Sequence, residues 1–429
     1  MRSSSLECMR GSWPVRQTDS PMRIAYLSSA GIPSQTAHSL QVIKMCEAMI
    51  EEGHAVRLFA PRTSTSRVPE DADLSAFYGL EAPVLPSFVA TPRLLGRKGL
   101  AAVMVRRVMR EKFDLIYTRG VDFAFFSSRW GQSTALELHQ MPSGRMGPLY
   151  FRGYLRSRPG NRLVVISSRL EQLVLEEYAG GDGIPILVAP DAVDLRKYDG
   201  LPNPAEARRQ LGRPADQFTV GYFGSLYEGR GVELVAELAR QMPDLSFLVG
   251  GGDEEQVGRF SRGESLVNVE WLRHVPHGKV PLWEAACEVL LMPYQTRVTV
   301  QGKSDTAETM SPLKLFEYMA AQRLILASDL PALREVLNDG NSALLPPDSP
   351  LAWRDMIRRA QRDGPWRDDL ARRARLDVTP HTWRNRVRAI LEPGRIWIDG
   401  QWYGLDPASV EQCAVRLHCA GANSIRQGQ

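Results

Sequence analysis

The fold is indicated first by residues 22–31, which have the sequence Met-Arg-Ile-Ala-Tyr-Leu-Ser-Ser-Ala-Gly. A short apolar run that ends in small residues is typical of a buried strand followed by a loop. Residues 39–52 then carry apolar side chains at helical spacing and stop at Gly53, and residues 54–60 are again largely apolar. This order predicts a βαβ unit, and hence a parallel sheet with a right-handed crossover.

The same alternation extends along the chain and starts again after a break. Further strands of the first half are predicted at 114–118, 134–138, 162–166 and 186–189. Residues 199–217 are rich in proline, glycine and charge, which favours a linker. Strands of a second half are predicted at 218–223, 246–249, 289–292 and 324–327. We therefore expect an α/β protein with two Rossmann-like lobes that face each other across a cleft.

The composition excludes several classes of protein. With 429 residues and 43% hydrophobic content, the chain can bury a large core and is not disordered. A net charge of +4 without a dense basic tail argues against a nucleic-acid binder. The five cysteines are scattered and form no Cys-x-x-Cys pair, which favours reduced thiols in the cytoplasm. No apolar run approaches the roughly 18–20 residues that span a bilayer.

Residues 310–321, Met-Ser-Pro-Leu-Lys-Leu-Phe-Glu-Tyr-Met-Ala-Ala, say most about chemistry. Ser311 is expected to cap a helix whose first residue is Pro312, and the free N–H groups of such a helix start attract phosphate. Lys314 is poorly placed for the helix dipole unless an anion binds there. Glu317 can accept hydrogen bonds from vicinal hydroxyls such as those of a ribose. The alternative is an ordinary amphipathic helix with a solvated lysine and glutamate.

A glycine-rich loop at 224–231, Gly-Ser-Leu-Tyr-Glu-Gly-Arg-Gly, lies between a predicted strand and a predicted helix. Its glycines permit close approach of a ligand, and Arg230 can form two hydrogen bonds to a phosphate. The loop matches neither a P-loop nor GxGxxG, so a plain βα loop with an exposed arginine is the alternative.

Histidines provide further candidates. Glu137-Leu-His139 ends a predicted strand; a lone histidine is more often structural, but a place at the carboxyl edge makes His139 a better candidate for a site residue. His274 and His277 lie in a loop of the second half and are candidates to line the cleft. No GxSxG or HExxH motif is present, and we identify no DxD motif. We therefore expect no metal, with positive groups and helix dipoles neutralising the charge of a diphosphate.

Taken in order, these segments resemble the GT-B glycosyltransferases of family 4, which transfer a sugar from a nucleotide diphosphate with retention. The resemblance covers residues 22–392 and is most specific at 311–321, 325–331 and 333–337. It also includes 220–225 with Arg230-Gly231, 189–194 and Thr382-Trp383. Thr309 stands where the family has the first of two glutamates, with Glu308 one residue away, and Ser225 stands where many members have arginine.

The resemblance implies roles for individual residues. Glu317 would hold the donor ribose, Arg230 and Lys314 would face the diphosphate, and His139 would lie near the transferred sugar. The implied catalytic residues are His139, Arg230 and Lys314. The implied donor-binding residues are Gly224, Ser225, Arg230, Ser311, Leu313, Lys314 and Glu317. Candidate contacts to the sugar or acceptor are Gly31, Glu137, Thr309 and Met310.

The resemblance also implies an organisation of the chain. We expect a disordered leader (1–21), an acceptor lobe (22–200), a donor lobe (201–376), a helix that crosses back to the first lobe (377–392) and an accessory tail (393–429) that becomes disordered. The basic stretch at 93–112 has an apolar side formed by Leu94, Leu95, Leu100, Val103, Met104 and Val108. This resembles a membrane-surface helix, although a lobe helix with a solvated basic face fits equally.

The implied function is retaining, metal-independent transfer of a hexose-like sugar from a nucleotide diphosphate to a glycan or lipid-linked acceptor. We expect this in polysaccharide or glycoconjugate synthesis, in the cytoplasm or at the inner face of the membrane, with no cofactor beyond the nucleotide-sugar co-substrate and no nucleic-acid partner. The alternatives are a catalytically silent scaffold subunit and a nucleotide-sugar epimerase of the same fold.

Overall fold

The structure is a computed structural model of the chain. It describes residues 20–61, 73–90, 96–157, 160–178, 184–261, 266–298, 305–392, 395–398 and 401–404. The predicted leader falls almost wholly outside these residues, as does the tail beyond 404.

The first lobe is built on a parallel sheet of seven strands in the order β3-β2-β1-β4-β5-β6-β7. The strands are Arg23–Leu27 (β1), Ala55–Ala60 (β2), Pro86–Phe88 (β3), Leu115–Thr118 (β4), Thr134–Leu138 (β5), Arg162–Val165 (β6) and Ile186–Val188 (β7). The helices are Ala37–Glu51 (α1), Leu74–Tyr78 (α2), Gly96–Val108 (α3), Val121–Arg129 (α4), Gly147–Leu155 (α5) and Ser168–Tyr178 (α6). The central strands β1, β4, β5 and β6 are almost entirely buried, as expected when helices cover both faces of a parallel sheet, whereas the edge strands β3 and β7 are half-buried.

The second lobe has a parallel sheet of six strands in the order β10-β9-β8-β11-β12-β13. These strands are Thr219–Phe223 (β8), Ser246–Gly250 (β9), Val269–Arg273 (β10), Val289–Met292 (β11), Leu324–Ser328 (β12) and Ala343–Leu345 (β13). Its helices are Pro204–Gln210 (α7), Val232–Gln241 (α8), Glu254–Ser261 (α9), Val280–Ala285 (α10), Leu313–Ala320 (α11), Pro331–Arg334 (α12), Pro350–Arg362 (α13) and Gly364–Asp377 (α14). In both lobes the strand order reverses beside the first strand, which confirms the predicted α/β class with two Rossmann-like lobes.

The last helix, Trp383–Leu391 (α15), packs against α1 of the first lobe. Thr382 caps it by accepting a hydrogen bond from the backbone N–H of Asn385, and the apolar side chains of Trp383, Val387 and Ile390 join the first lobe's core. The chain after the second lobe therefore returns to the first. Beyond it, Arg395–Ile398 (β14) and Gln401–Gly404 (β15) form an antiparallel hairpin within the predicted tail.

The two lobes also meet at the carboxyl edges of their sheets. The Ser167 hydroxyl donates to the Thr309 carbonyl over 3.0 Å. The Glu335 carboxylate accepts hydrogen bonds from the backbone N–H groups of Ser168 and Arg169, at 2.8 and 3.1 Å, and so satisfies the start of α6. These contacts bring loops of both lobes to a common cleft.

Two local predictions were wrong. Ser311 does not cap α11, because Pro312 has an extended backbone and is itself the N-cap, so that the helix begins at Leu313. Residues 199–217 are not a plain linker but contain α7, which Asn203 caps. The charged stretch 353–374 is divided between α13 and α14 at Asp363, whose carboxylate caps the second of them.

The interpretation of 93–112 also changes. Leu100, Met104 and Val108 of α3 are buried in the core of the first lobe, so this apolar side is not available to a membrane. Val103 is 43% exposed, and Arg106 and Arg107 are exposed beside it. The side chains of Leu94 and Leu95 lie outside the described residues.

Candidate active site

The clearest feature of the second lobe is a pair of basic side chains, each with a buried nitrogen that has no hydrogen-bond partner among the described residues. Lys314, in the first turn of α11, places Nζ 4.0 Å from the ring centre of Tyr222 and 4.6 Å from that of Tyr294. The Arg230 guanidinium lies 4.9 Å from the Tyr294 ring centre. Among the described residues, neither Lys314 Nζ nor Arg230 Nε has a hydrogen-bond partner. Aromatic faces compensate part of the lost hydration, but two buried donors of positive charge are best satisfied by an anion.

The surrounding loop leaves room for such an anion. A Cβ atom on Gly224 would lie 3.0 Å from Lys314 Nζ, so the absence of a side chain keeps the approach open. Gly231 has a positive φ of 78°, and a Cβ there would meet the Pro293 carbonyl at 1.8 Å. Tyr318 of α11 fixes the end of β8, because its hydroxyl accepts from the backbone N–H of Phe223 over 2.7 Å.

The charges in this lobe depend on each other. Burial and the neighbouring Arg230 hold the pKa of Lys314 well below its usual range. Glu284 of α10 is fully buried and neither carboxyl oxygen has a partner among the described residues, so burial and nearby Glu317 raise its pKa well above normal. A bound anion would favour the charged form of Lys314.

Glu317 lies one turn after Lys314, where the two lobes approach. A small cavity of about 30 Å³ is lined there by Glu317 and His277 of the second lobe and by Lys44 of α1 and Lys197. His277 Nδ1 is 3.9 Å from the Glu317 carboxylate, and Lys44 and Lys197 both donate to the Gly79 carbonyl. Burial raises the pKa of Glu317 to about 7, against the opposing effect of the lysines. His277 thus lines the cleft, as predicted.

At the carboxyl edge of the first sheet, Glu137 is the centre of a hydrogen-bond network. Its Oε1 accepts from Gln41 Nε2 over 2.5 Å and contacts His139 Nε2, while its Oε2 accepts from Arg386 Nη1 over 3.0 Å and from the Tyr117 hydroxyl. Burial alone would raise the pKa of Glu137, but Arg386 together with His139 holds it well below normal. Burial lowers the pKa of His139 to about 4, so the imidazole is neutral at neutral pH.

Comparisons with known proteins support this assembly of loops. Residues 217–363, which include both buried cations, match the family described as glycosyl transferases group 1. The phosphatidyl-myo-inositol mannosyltransferase of Mycolicibacterium smegmatis is 24% identical over 71% of this chain and 76% of its own. Together with the fold, these matches support a GT-B glycosyltransferase similar to family 4.

Solved structures of the same fold agree in architecture. The sucrose-phosphate synthase of Thermosynechococcus elongatus superposes with a TM-score of 0.66 at 18% identity. The superposition covers 93% of the present chain and 100% of the synthase chain. Alr3699/HepE of Anabaena, solved in complex with UDP and glucose, gives a TM-score of 0.63 at 18% identity, over 87% and 100% of the two chains. At these identities the likeness supports the fold.

The remaining candidates for donor or acceptor binding lie in loops and at the start of α11. The Ser225 carbonyl accepts from the Tyr222 hydroxyl over 2.7 Å, at the start of the glycine-rich loop. The Ser311 hydroxyl accepts from the backbone N–H of Asp191 over 2.9 Å, which links it to the first lobe. Leu313 lines the cavity beside Glu317. Gly31 is half-buried in the loop after β1.

Thr309 stands where the family has its first glutamate, and the structure shows where Thr309 and its neighbours Glu308 and Met310 lie. Thr309 and Met310 are buried, and Met310 belongs to the core of the second lobe. The Glu308 carboxylate lies 3.4 Å from the Arg169 guanidinium of the first lobe. Glu308 is therefore part of an exposed contact between the lobes.

A metal site was not expected, and the geometry adds one relevant observation. Among the described residues, Glu137, His139 and Asp191 are the one group of three potential ligands within 4.8 Å of one another. The Arg386 guanidinium already donates a hydrogen bond to Glu137 Oε2, and its positive charge disfavours the binding of a metal cation at this point. A DxD triplet does occur at 71–73, but Asp73 accepts from the backbone N–H of Ser75 and caps α2.

Sequence reasoning missed several residues of this cleft. Arg386, Arg119, Gln41, Tyr117, Lys44 and Lys197 were not singled out, although the structure brings them to Glu137 or to Glu317. The signal available for Arg119 was its position directly after β4, at the same carboxyl edge as His139. No spacing in the sequence pointed to Arg386, because its partner Glu137 is 249 residues away.

Proposed function

We propose that the protein transfers a sugar, with retention of anomeric configuration, from a nucleoside diphosphate to a glycan or lipid-linked acceptor. The observation that carries this proposal is a pair of buried nitrogens without a hydrogen-bond partner among the described residues, Arg230 Nε and Lys314 Nζ, beside the start of α11. A diphosphate supplies the negative charge and the acceptor oxygens that both lack. The complex of Alr3699/HepE with UDP and glucose and the names of the mannosyltransferase relatives support the same ligand classes.

The proposed donor pose follows from the spacing of the site. The diphosphate lies against Gly224, Arg230 and Lys314, and the nucleoside ribose donates its hydroxyls to Glu317. The transferred sugar then extends toward the first lobe and His139. Because Glu317 lies in a cavity shared by both lobes, donor binding is sensitive to their separation.

Same-face substitution is the proposed chemistry. The bond between the anomeric carbon and the diphosphate oxygen breaks while the bond from the acceptor oxygen forms on the same face, and the acceptor proton passes to the departing oxygen. Arg230, Lys314 and the start of α11 stabilise the developing charge. A double displacement would require a free carboxylate nucleophile. Glu137 is engaged by four donors, and burial raises the pKa of Asp191 to about 7.

We further propose that a lipid-linked acceptor is approached from a surface formed by α3, α4 and α5. No helix among the described residues is long and apolar enough to cross a membrane. On this surface Trp130 is 47% exposed and packs 6.1 Å from Phe126, whose ring is 5.6 Å from that of Tyr150. Exposed arginines of α3, Arg106 and Arg107, lie on the adjacent helix. Aromatic rings beside cations suit the interface of an anionic bilayer.

The test of the membrane surface is flotation with vesicles that contain anionic lipid. Wild-type protein is expected to float at low salt, and replacement of Trp130 and Arg106 by serine should reduce the floated fraction. Retention of wild-type protein in the unbound fraction at low salt would refute this part of the proposal.

The test of the function is turnover with a panel of UDP-, GDP- and ADP-sugars and candidate acceptors. Lys314→Ala and Arg230→Ala are each expected to lower turnover by about 100-fold or more, because each removes charge stabilisation from the leaving group. Arg259→Ala, at an exposed arginine of the same lobe, is the matched control. Wild-type rates in both cleft variants would refute the assignment.

The same panel separates the alternatives. Donor binding without transfer or hydrolysis would identify a silent scaffold subunit, and conversion of the donor into its epimer without an acceptor would identify an epimerase. Transfer with retained configuration, read from the product's anomeric proton coupling, is the result that supports the proposal.

A further inference from the structure

Arg386 is a buried cation that reaches the first lobe from α15. It is 6% exposed, and all three of its guanidinium nitrogens donate hydrogen bonds. Nε donates to the Pro190 carbonyl over 2.8 Å, Nη2 to the Ala189 carbonyl over 3.1 Å, and Nη1 to Glu137 over 3.0 Å. The two carbonyl contacts fix the guanidinium plane, so its contact with Glu137 has a defined direction.

Glu137 in turn fixes the protonation of His139. An ionised carboxylate only accepts hydrogen bonds, so the His139 nitrogen that it contacts, Nε2, must carry a hydrogen. The imidazole is neutral because burial and Arg119 lower its pKa to about 4, so Nδ1 then holds a lone pair. The described residues offer no hydrogen-bond partner to Nδ1, and the side chain is 19% exposed.

We propose that Arg386 and Glu137 are positioning residues, which hold His139 as the Nε2–H tautomer so that Nδ1 accepts a hydrogen bond from a hydroxyl of the bound sugar or acceptor. This inference rests on the proposed function, because it requires a sugar in the cleft. It assigns to α15 a direct part in the site, in addition to joining the lobes.

The other charged groups around His139 are consistent with this arrangement. Arg119 donates to Gln41, which itself donates to Glu137, and the Tyr117 hydroxyl occupies Glu137 Oε2 beside Arg386. Asp191 offers a carboxylate oxygen within 4.8 Å of the His139 and Glu137 ligand atoms, but burial raises its pKa to about 7. Glu137 is therefore the carboxylate that determines the tautomer.

The chain supplies a matched control on the same helix. Arg388 and Arg384 of α15 both pair with Glu52 at the end of α1, away from Glu137. Replacing Arg388 by methionine removes an anchor of α15 without touching the network of His139. Arg386→Met removes the contact to Glu137, and Arg386→Lys keeps its positive charge.

The first measurement is the tautomer of His139 in the full-length, donor-free protein, from long-range ¹H–¹⁵N NMR spectra at neutral pH. We expect Nε2–H in the wild type and in Arg388→Met, and an increased Nδ1–H population in Glu137→Gln, whose amide can donate to Nε2. An Nδ1–H tautomer in the wild type would overturn the inference whether or not sugar transfer is detected.

The second measurement is kinetic and separates positioning from simple packing. Glu137→Gln and Arg386→Met are expected to lower kcat by about 100-fold, as a misplaced catalytic group does, while the Kd for the nucleoside diphosphate stays unchanged. Their double variant should be no slower than Glu137→Gln alone, because one acts through the other, and Arg386→Lys should recover part of the rate. Equal losses in Arg386→Met and Arg388→Met, or additive losses in the double variant, would overturn it. Absence of transfer by the wild type with every donor would instead refute the proposed function.

Discussion

The two sides of the cleft treat buried charge in opposite ways. In the first lobe, the Glu137 carboxylate and the Arg386 guanidinium are fully engaged with each other and with neighbouring donors and carbonyls. In the second lobe, Lys314 Nζ and Arg230 Nε have no hydrogen-bond partner among the described residues. A satisfied network holds a geometry, whereas unsatisfied charges are a cost that a ligand removes. The difference suggests that the first lobe orients groups and the second binds an anion.

The largest expected effect comes from disrupting the hydrogen-bond network of the first lobe at Glu137. Glu137→Leu leaves the Arg386 guanidinium buried without its carboxylate, and we expect the free energy of unfolding to fall by about 3–5 kcal/mol. Denaturant unfolding measures this loss. The double variant Glu137→Leu/Arg386→Met should recover much of it, because the stranded charge is gone. A loss below about 1 kcal/mol for the single variant would contradict the picture of a stabilising network.

A second effect concerns donor binding. A nucleoside diphosphate present at about 100 times its Kd should stabilise the wild type by about 2.7 kcal/mol, and this gain should disappear in Lys314→Met at the same concentration. Thermal shift with UDP, GDP and ADP measures it, with Arg259→Ala as the control. Equal ligand shifts in wild type and Lys314→Met would contradict an anion site at this lysine.

The stability of the protein should also depend on pH, through Glu317 on the second lobe's side of the cleft. Its folded pKa of about 7 exceeds the usual value of 4.5, so the folded state binds this proton more tightly than the unfolded state. The resulting stabilisation is complete below about pH 4.5 and is lost as the pH rises through about 7. In the absence of donor, the Tm of Glu317→Gln minus the Tm of the wild type should therefore increase by a few degrees between pH 5 and pH 8. Glu255→Gln, an exposed carboxyl of the same lobe, corrects for the loss of one charge. A constant Tm difference across this range would contradict the prediction.

A smaller effect is expected in the donor-free protein when Lys314 itself is removed. Lys314→Met replaces a desolvated, unpartnered amine by an apolar side chain of similar length beside Tyr222 and Tyr294. We expect the free energy of unfolding to rise by about 1 kcal/mol while donor binding is lost, a trade between stability and function. Denaturant unfolding of the donor-free variant measures this change. Destabilisation by more than about 1 kcal/mol would mean that Lys314 contributes to folding.

The smallest effect is expected at the surface. Arg388→Met breaks the pair with Glu52, whose partner Arg384 remains, so we expect a loss of about 1 kcal/mol or less. This variant defines how much stability comes from attaching α15 without the Glu137 network. A loss equal to that of Arg386→Met would mean that both contacts act only as anchors.

The sequence was sufficient for the arrangement of the lobes and for part of the site. Alternation of buried strands and amphipathic helices predicted most strands to within one or two residues, because burial imposes apolar runs of characteristic length. The glycine-rich loop and the segment around Lys314 and Glu317 were singled out as candidates because a phosphate site at a helix start would use residues close in sequence. The sequence left open whether the apolar residues of 93–112 face a membrane or the core of the lobe, because periodicity shows that a face is apolar but not what covers it.

What the sequence by itself determined was the fold class, the two lobes and the local candidates at the strand ends. Only the tertiary structure decided which of these candidates meet. It paired Arg386 with Glu137 across 249 positions of the chain, placed Glu308 against Arg169, and left Lys314 Nζ and Arg230 Nε without hydrogen-bond partners among the described residues. The physical reason is that hydrogen bonds and charge interactions act over a few ångströms in space, whereas sequence patterns report only neighbours along a helix or strand.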